Sequence, residues 1–112
     1  MVLDQVALDE ITEGDAGFKA VLLAEYQKTT PPLLEELGNA VKACDFEQVT
    51  YRAHMLKGSS RSICAPALSE AAYDMEMAGR SGAPDGLAPA YEDLVGHSRR
   101  LFAEIERILD PA

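Results

Sequence analysis

The stretch from Arg52 to Arg61, RAHMLKGSSR, sets a histidine, a lysine and a glycine at i, i+3 and i+4: His54, Lys57 and Gly58. On a helix these positions share one stripe, and Arg61 at i+7 extends it by a turn. A neutral imidazole is a good nucleophile near physiological pH. A phosphoryl group placed on it would carry negative charge that Lys57 and Arg61 can balance through charge-assisted hydrogen bonds. Gly58 costs a helix interior about 1 kcal/mol relative to alanine. It also leaves no side chain beside the ring, so a partner's loop has room to approach. Taken singly, each residue has an ordinary explanation: a solvated histidine, a surface lysine, a glycine that lets helices pack closely. Ser59 and Ser60 read as small packing residues, because no base or third partner for a triad is evident.

The rest of the chain narrows the chemistry. Nineteen acidic against ten basic residues give a net charge of −9. Such a surface repels phosphate backbones and anionic membranes, which argues against nucleic acid and membrane as partners. Against that background, Tyr51–Arg61 holds Arg52, Lys57 and Arg61 and no acidic residue. No apolar run approaches the roughly 20 residues of a membrane span. The N-terminus has no signal-peptide pattern, and we expect a cytoplasmic protein. Cys44 and Cys64 are expected to be free thiols, since a helix between them would hold them roughly 30 Å apart. There is no CxxC, HExxH or histidine cluster for a metal, and no Gly-rich loop for a nucleotide.

The elements that must position the stripe are helices, because apolar residues recur at steps of three and four with no convincing strand alternation. A short helix is expected over about Leu3–Thr12. Asp15 can cap a second one, whose apolar positions are Phe18, Leu22, Tyr26, Leu33, Leu37, Val41 and Cys44. The phase holds across Pro31 and Pro32, so one long helix is expected, with two separate helices as the alternative. Asp45 looks like the cap of the third helix, with Gln48 placed to complete a variant capping box. Its seam is Phe46, Val49, Ala53, Leu56, Ser60 and Ile63. On a helical wheel His54 falls about 130° from the middle of that seam, so it should face solvent. A fourth helix should start near Pro66, carry Leu68, Ala71, Ala72, Met75 and Ala78, and stop at GRSGAPDG. The last runs from about Leu87 to Leu109. The expected fold is all-α: an antiparallel up-down four-helix bundle with an additional short N-terminal helix, one domain over residues 1–112.

At AHMLKGSS, Ala53–Ser60, the chain resembles the signature of histidine-containing phosphotransfer (HPt) domains of two-component phosphorelays. GDAGFKAVLLAEYQKTTPPLLEELGNAVKACD resembles the family's long second helix and the aspartate that opens the next. LSEAAYDMEMAGRSG resembles its fourth helix and the following turn. The resemblance implies that His54 accepts the phosphoryl group, Lys57 supports the phosphate and Gly58 makes space for the partner. Glu76 matches a position where a Gln or Glu hydrogen-bonds the imidazole nitrogen that is not phosphorylated, which leaves Nε2 as the nucleophile. The ordinary alternative for Glu76 is an exposed helix glutamate. Two residues depart from the pattern: Cys64 stands where a glycine is usual, and Arg61 where many members have a small residue.

The function so implied is phosphoryl carriage. A receiver-domain aspartate would load His54, and the reverse reaction would pass the group to another receiver. Partners would be receivers of response regulators or hybrid histidine kinases, docking over the first three helices. Met55 is the candidate apolar contact, with Ile11 and Phe18 as further ones that core burial would also explain. No cofactor of its own is expected, the divalent metal belonging to the receiver. Autophosphorylation from ATP is not expected either, and the default oligomeric state is a monomer. Two rivals are a non-catalytic four-helix interaction module with an incidental His54, and the phosphoacceptor helix pair of a histidine kinase, which needs a following ATP-binding domain. His97, in VGHSRR, has no Lys-Gly at the right spacing and reads as a surface residue.

Overall fold

A computed structural model describes residues 1–111. Five α-helices follow one another: α1 (Gln5–Ile11), α2 (Ala16–Lys42), α3 (Phe46–Ser62), α4 (Pro66–Ser81) and α5 (Leu87–Leu109). One turn of 3₁₀ helix, Pro84–Gly86, leads into α5. The first three helices begin on an aspartate whose carboxylate accepts from a backbone N–H three residues on, from Asp4 to Ala7, Asp15 to Phe18 and Asp45 to Gln48. At Asp45 only that half of the expected capping box forms. The Asp45 N–H goes instead to the Ala40 carbonyl, 3.0 Å away, which closes the turn after α2.

α2 packs on α3, α3 on α4, α4 on α5, and α5 closes the ring against α2. Short connections between these neighbours make the four long helices alternate up and down, the architecture expected. Val49, Ala53, Leu56, Ser60 and Ile63 of the third-helix seam are all buried, and Leu68, Met75, Leu94, Leu101 and Ile105 meet them from α4 and α5. The molecule is elongated, 43 × 24 × 19 Å, because α2 outruns its neighbours. α1 lies over the overhang. The Asp4 N–H bonds the Cys64 carbonyl at 2.7 Å, the Ala67 N–H bonds the Met1 carbonyl, and Lys19 pairs with Asp9 at 2.9 Å. No helix among the described residues is long and apolar enough to cross a membrane.

α2 is one continuous helix through Pro31 and Pro32. Both prolines are exposed, so the donors they remove lie on the side facing water. Three details of its seam differ from expectation. Leu23, not Leu22, enters the core, and Phe18 is exposed. The pair Tyr26–Ser60, joined by a buried 3.1 Å hydrogen bond, fixes the register of α2 against α3. α3 ends at Ser62, so the first turns of α2 run beyond it and Phe18 has no α3 surface to cover. At the other end α2 stops at Lys42, and Cys44 is exposed in a left-handed turn (φ +51°) rather than in the seam.

Two glycines set how closely helices approach. A Cβ on Gly38 would lie 2.6 Å from the Tyr91 hydroxyl oxygen, which donates to the Leu34 carbonyl and so ties α5 to α2. A Cβ on Gly79 would lie 2.5 Å from Thr50 Oγ1 and 2.9 Å from the Thr50 amide nitrogen. α3 and α4 therefore touch nearly backbone to backbone one turn from His54.

Candidate functional site

α3 presents His54 outward, as its periodicity requires, with 63% of the side chain exposed. Lys57 lies one turn on, and Gly58 beside it has nothing within 4 Å of where a Cβ would be. The helix-packing explanation of this glycine therefore fails, since there is only open space next to the ring.

Across the α3–α4 contact stands Glu76. It is almost fully buried, at 2% exposure, not the exposed helix glutamate of the ordinary alternative. Small residues on both sides along α4, Ala72 and Gly79, let α3 close over it. Its Oε2 is 3.3 Å from His54 Nδ1 and accepts from Arg80 Nη2 at 2.8 Å. Its Oε1 has no aligned hydrogen-bond donor, and Lys57 Nζ meets it at 2.8 Å as an ion pair. Burial pushes the Glu76 carboxyl up, but the adjoining Lys57, Arg80 and His54 outweigh it and hold the group down to about 2. The carboxylate is thus ionised at neutral pH. As an acceptor only, it can take a hydrogen bond from Nδ1 and leave the Nε2 lone pair pointing to solvent.

Lys57 is held in place from two directions. Its ammonium sits 5.5 Å from the centroid of the Tyr73 ring and against Glu76, with only 13% of the side chain exposed. Tyr73, Glu76 and Arg80 fall at i, i+3 and i+7 on α4, a single stripe facing the His54 stripe of α3. A cleft of about 600 Å³ opens beside the ring, lined by Glu47, Gln48, Thr50, Tyr51, His54 and Arg80. A nucleophilic nitrogen at its edge and a guanidinium in its wall make it suited to an anionic group.

The structure brings together His54, Lys57, Gly58 and Glu76. Arg61 is not part of that cluster; it lines a separate cleft with Asp4, Cys64 and Tyr73. The guanidinium that shares Glu76 is Arg80, a residue that no motif in the sequence marks. Its one available signal was the Glu76–Arg80 spacing of i, i+4. Met55 is exposed next to His54 and lines a groove between α2 and α3. Ile11 and Phe18 are exposed together around another depression, over the overhang of α2. Glu36 of α2 pairs with Arg52 of α3, so Met55 lies level with about residue 33 of α2. Phe18 is then some 20 Å further along the axis, at ~1.5 Å per residue. His97 stands on α5, outside this cluster, with Arg100 donating to its Nδ1 at 3.1 Å. Among the described residues no group of three or more His, Cys, Asp or Glu side chains is arranged to hold a metal ion.

No curated protein and no solved structure matches the chain. A family model does: residues 21–110 match the Hpt domain, the histidine phosphotransfer module of phosphorelay signalling. That match runs from the second turn of α2 to the end of α5 and takes in both stripes of the site, and the chain belongs to the Hpt domain family.

Proposed function

We propose that this chain is a phosphoryl carrier in which His54 takes a phosphoryl group from a receiver-domain aspartate and returns it to another. The observation that carries the reading is the exposed His54 ring held through Nδ1 by a buried, ionised Glu76. With Nδ1 engaged, Nε2 is the free nucleophile. Its lone pair forms the N–P bond as the P–O bond to the aspartate breaks, and the departing carboxylate stays on the receiver. The reverse step rebuilds the acyl phosphate on a second receiver.

The transition state is loose and strongly anionic, so this chain's contribution is position and charge. Lys57 and Arg80 are the cations next to the ring, both already oriented by Glu76. Gly58 leaves the approach to Nε2 open. The divalent metal of the reaction belongs to the receiver's acidic pocket, and the reading assigns this chain neither a cofactor nor autophosphorylation from ATP. It places the protein with cytoplasmic receivers, acting as a monomer. Met55, beside the ring, is the nearest apolar contact for a docked receiver. Ile11 and Phe18 mark the far end of the docking face.

The test is phosphotransfer from a panel of phosphorylated receiver domains to wild type and to His54→Gln. Acid-labile, alkali-stable label on the wild type alone is the expected result. If neither protein takes label from any receiver, the carrier reading falls and an interaction module becomes the better account.

A further inference from the structure

The partner of Nδ1 is a carboxylate rather than a carboxamide, and the two differ in what they can do after phosphoryl transfer. When neutral imidazole attacks through Nε2, no proton leaves the ring. Nδ1 keeps its hydrogen, Nε2 carries phosphorus, and the ring holds a positive charge. A carboxamide can stabilise either form of that product, because its oxygen accepts from Nδ1–H and its NH₂ can donate to a deprotonated Nδ1. Ionised Glu76 has no donor. Loss of the Nδ1 proton would leave a nitrogen lone pair 3.3 Å from a carboxylate oxygen that is also fixed by Arg80.

We infer that Glu76 keeps the phosphorylated ring of His54 protonated at Nδ1, and thereby keeps the phosphoryl group transferable across the neutral pH range. The chemistry turns on the leaving group. From the protonated ring the N–P bond breaks to release neutral imidazole, its electron pair returning to Nε2. From the deprotonated ring the same cleavage must expel an imidazolate anion, a far poorer leaving group. The charged and titratable groups facing the His54–Glu76 pair are few. From α3 they are Lys57, with Glu47 and Tyr51 in the adjoining cleft, and from α4 they are Arg80 and, over Lys57, Tyr73. Arg52 turns away to Glu36 of α2, and among the described residues no charged side chain of α2 or α5 touches the pair. Lys57 and Arg80 both lie against Glu76, where their charge fixes its ionisation and remains available to the phosphoryl oxygens.

The inference rests on the carrier reading, so the test loads His54 without a receiver. ¹⁵N-histidine-labelled wild type and Glu76→Gln are treated with phosphoramidate, a small phosphodonor, and the ring nitrogens are followed by NMR. His97 serves as an internal reference, since its Nδ1 faces a guanidinium rather than a carboxylate. At about pH 8, above the ~6.5 of an unperturbed imidazole, the phosphorylated wild-type ring should still show a protonated Nδ1, and the Gln variant should not. Transfer from loaded wild type to a receiver should be nearly flat between about pH 6 and 8. In the variant it should fall roughly tenfold per unit once the ring deprotonates. A wild-type Nδ1 that is unprotonated at about pH 8, or indistinguishable from the variant's, overturns the inference and leaves the carrier reading standing. Should the variant fail to fold, the wild-type spectrum and pH profile alone decide. If His54 takes label from neither phosphoramidate nor any receiver, the carrier reading falls and this inference with it.

Discussion

Gly79 of α4 meets Thr50 of α3 with no room for a side chain between them, since a Cβ there would lie 2.9 Å from the Thr50 amide nitrogen. Thr50 cannot turn aside, because its hydroxyl already donates to the Phe46 carbonyl at 2.8 Å. This contact draws α4 close enough for Glu76, one turn earlier, to reach His54. Gly58 stands in the opposite situation, with open space around it. Gly79→Ala should therefore destabilise the bundle by about 1–3 kcal/mol, read as a fall in Tm. Gly58→Ala should leave stability unchanged or raise it by up to about 1 kcal/mol. In phosphotransfer both variants should lose, for different reasons: Gly79→Ala parts Glu76 from His54 and so slows loading by any donor, whereas Gly58→Ala should slow transfer from receivers while leaving loading by phosphoramidate intact.

The ion cluster predicts how stability depends on acid. Glu76 is held at about 2 in the folded chain, below the ~4.3 of an unfolded glutamate. A depressed carboxyl contributes stability that is fully present above the unfolded value and is lost as pH falls toward the folded one. The contribution is at most about 3 kcal/mol. Wild type should thus exceed Glu76→Gln in urea unfolding at about pH 7, where the variant also leaves Lys57 pressed against a neutral amide. The gap should narrow progressively between about pH 4 and pH 2. A gap that stays constant over that window would show that the carboxylate's charge contributes nothing to the fold.

How much of this was legible in the chain follows from where each feature is decided. The outward position of His54 is a matter of period within one helix, and Val49, Ala53, Leu56 and Ser60 fixed it. Glu76 could be paired with His54 only through the family resemblance. Its burial depends on the distance between α3 and α4, which Gly79 and Ala72 set and no single-helix pattern reveals. Arg80 escaped for the same reason, since an exposed arginine becomes notable only once Glu76 is seen to be buried. Of the neighbours Leu22 and Leu23, either satisfies a helical period, and the packing of α2 against its neighbours chooses the second. Cys44 continues the period of α2 two residues past its last turn at Lys42, and there the turn into Asp45, not the period, sets its position.

Cys64 follows the end of α3 with φ +60°, the left-handed conformation for which a glycine is usual in the family. Its N–H bonds the Arg61 carbonyl and the Ala65 N–H bonds the Ser60 carbonyl, both at 3.0 Å, so the helix terminates as it would with glycine despite the Cβ. A non-glycine residue there carries about 1–2 kcal/mol of strain, partly offset by the greater freedom of glycine in the unfolded chain. Cys64→Gly should raise stability by up to about 1 kcal/mol, measurable as an upward shift of the urea midpoint with unchanged slope.

Two arginines near the site can be separated by where they point. Arg80 hydrogen-bonds Glu76 and forms part of the cleft beside the ring, whereas Arg61 faces the cleft bounded by Asp4 and Tyr73. Arg80→Ala should slow transfer to His54 by about tenfold, the 1.4 kcal/mol scale of one charge-assisted hydrogen bond. It should also lower stability by about 1 kcal/mol, because buried Glu76 loses one of the partners that hold it ionised. Arg61→Ala should leave the loading of His54 by phosphoramidate unchanged. Equal losses from both variants in that assay would mean that the phosphoryl group sits between them, not in the Arg80 cleft.

Docking and chemistry should also separate. Met55 is exposed beside His54 and lines the groove toward α2 rather than the cleft that His54 shares with Arg80, while Phe18 lies some 20 Å along α2, at ~1.5 Å per residue. An aspartate at either position places a charge on apolar docking area without altering the ring, its Nδ1 partner or the cations. Met55→Asp should weaken receiver binding by about tenfold or more, the ~1.4 kcal/mol or greater expected for losing a central apolar contact. Phe18→Asp, at the edge of the face, should weaken it less. Both variants should accept label from phosphoramidate at the wild-type rate. Titration calorimetry with an unphosphorylated receiver, run beside the phosphoramidate assay, tests the two halves independently. Loss of phosphoramidate labelling in Met55→Asp would mean that this residue supports the ring itself, and unchanged receiver affinity in both variants would move the docking face elsewhere on the bundle.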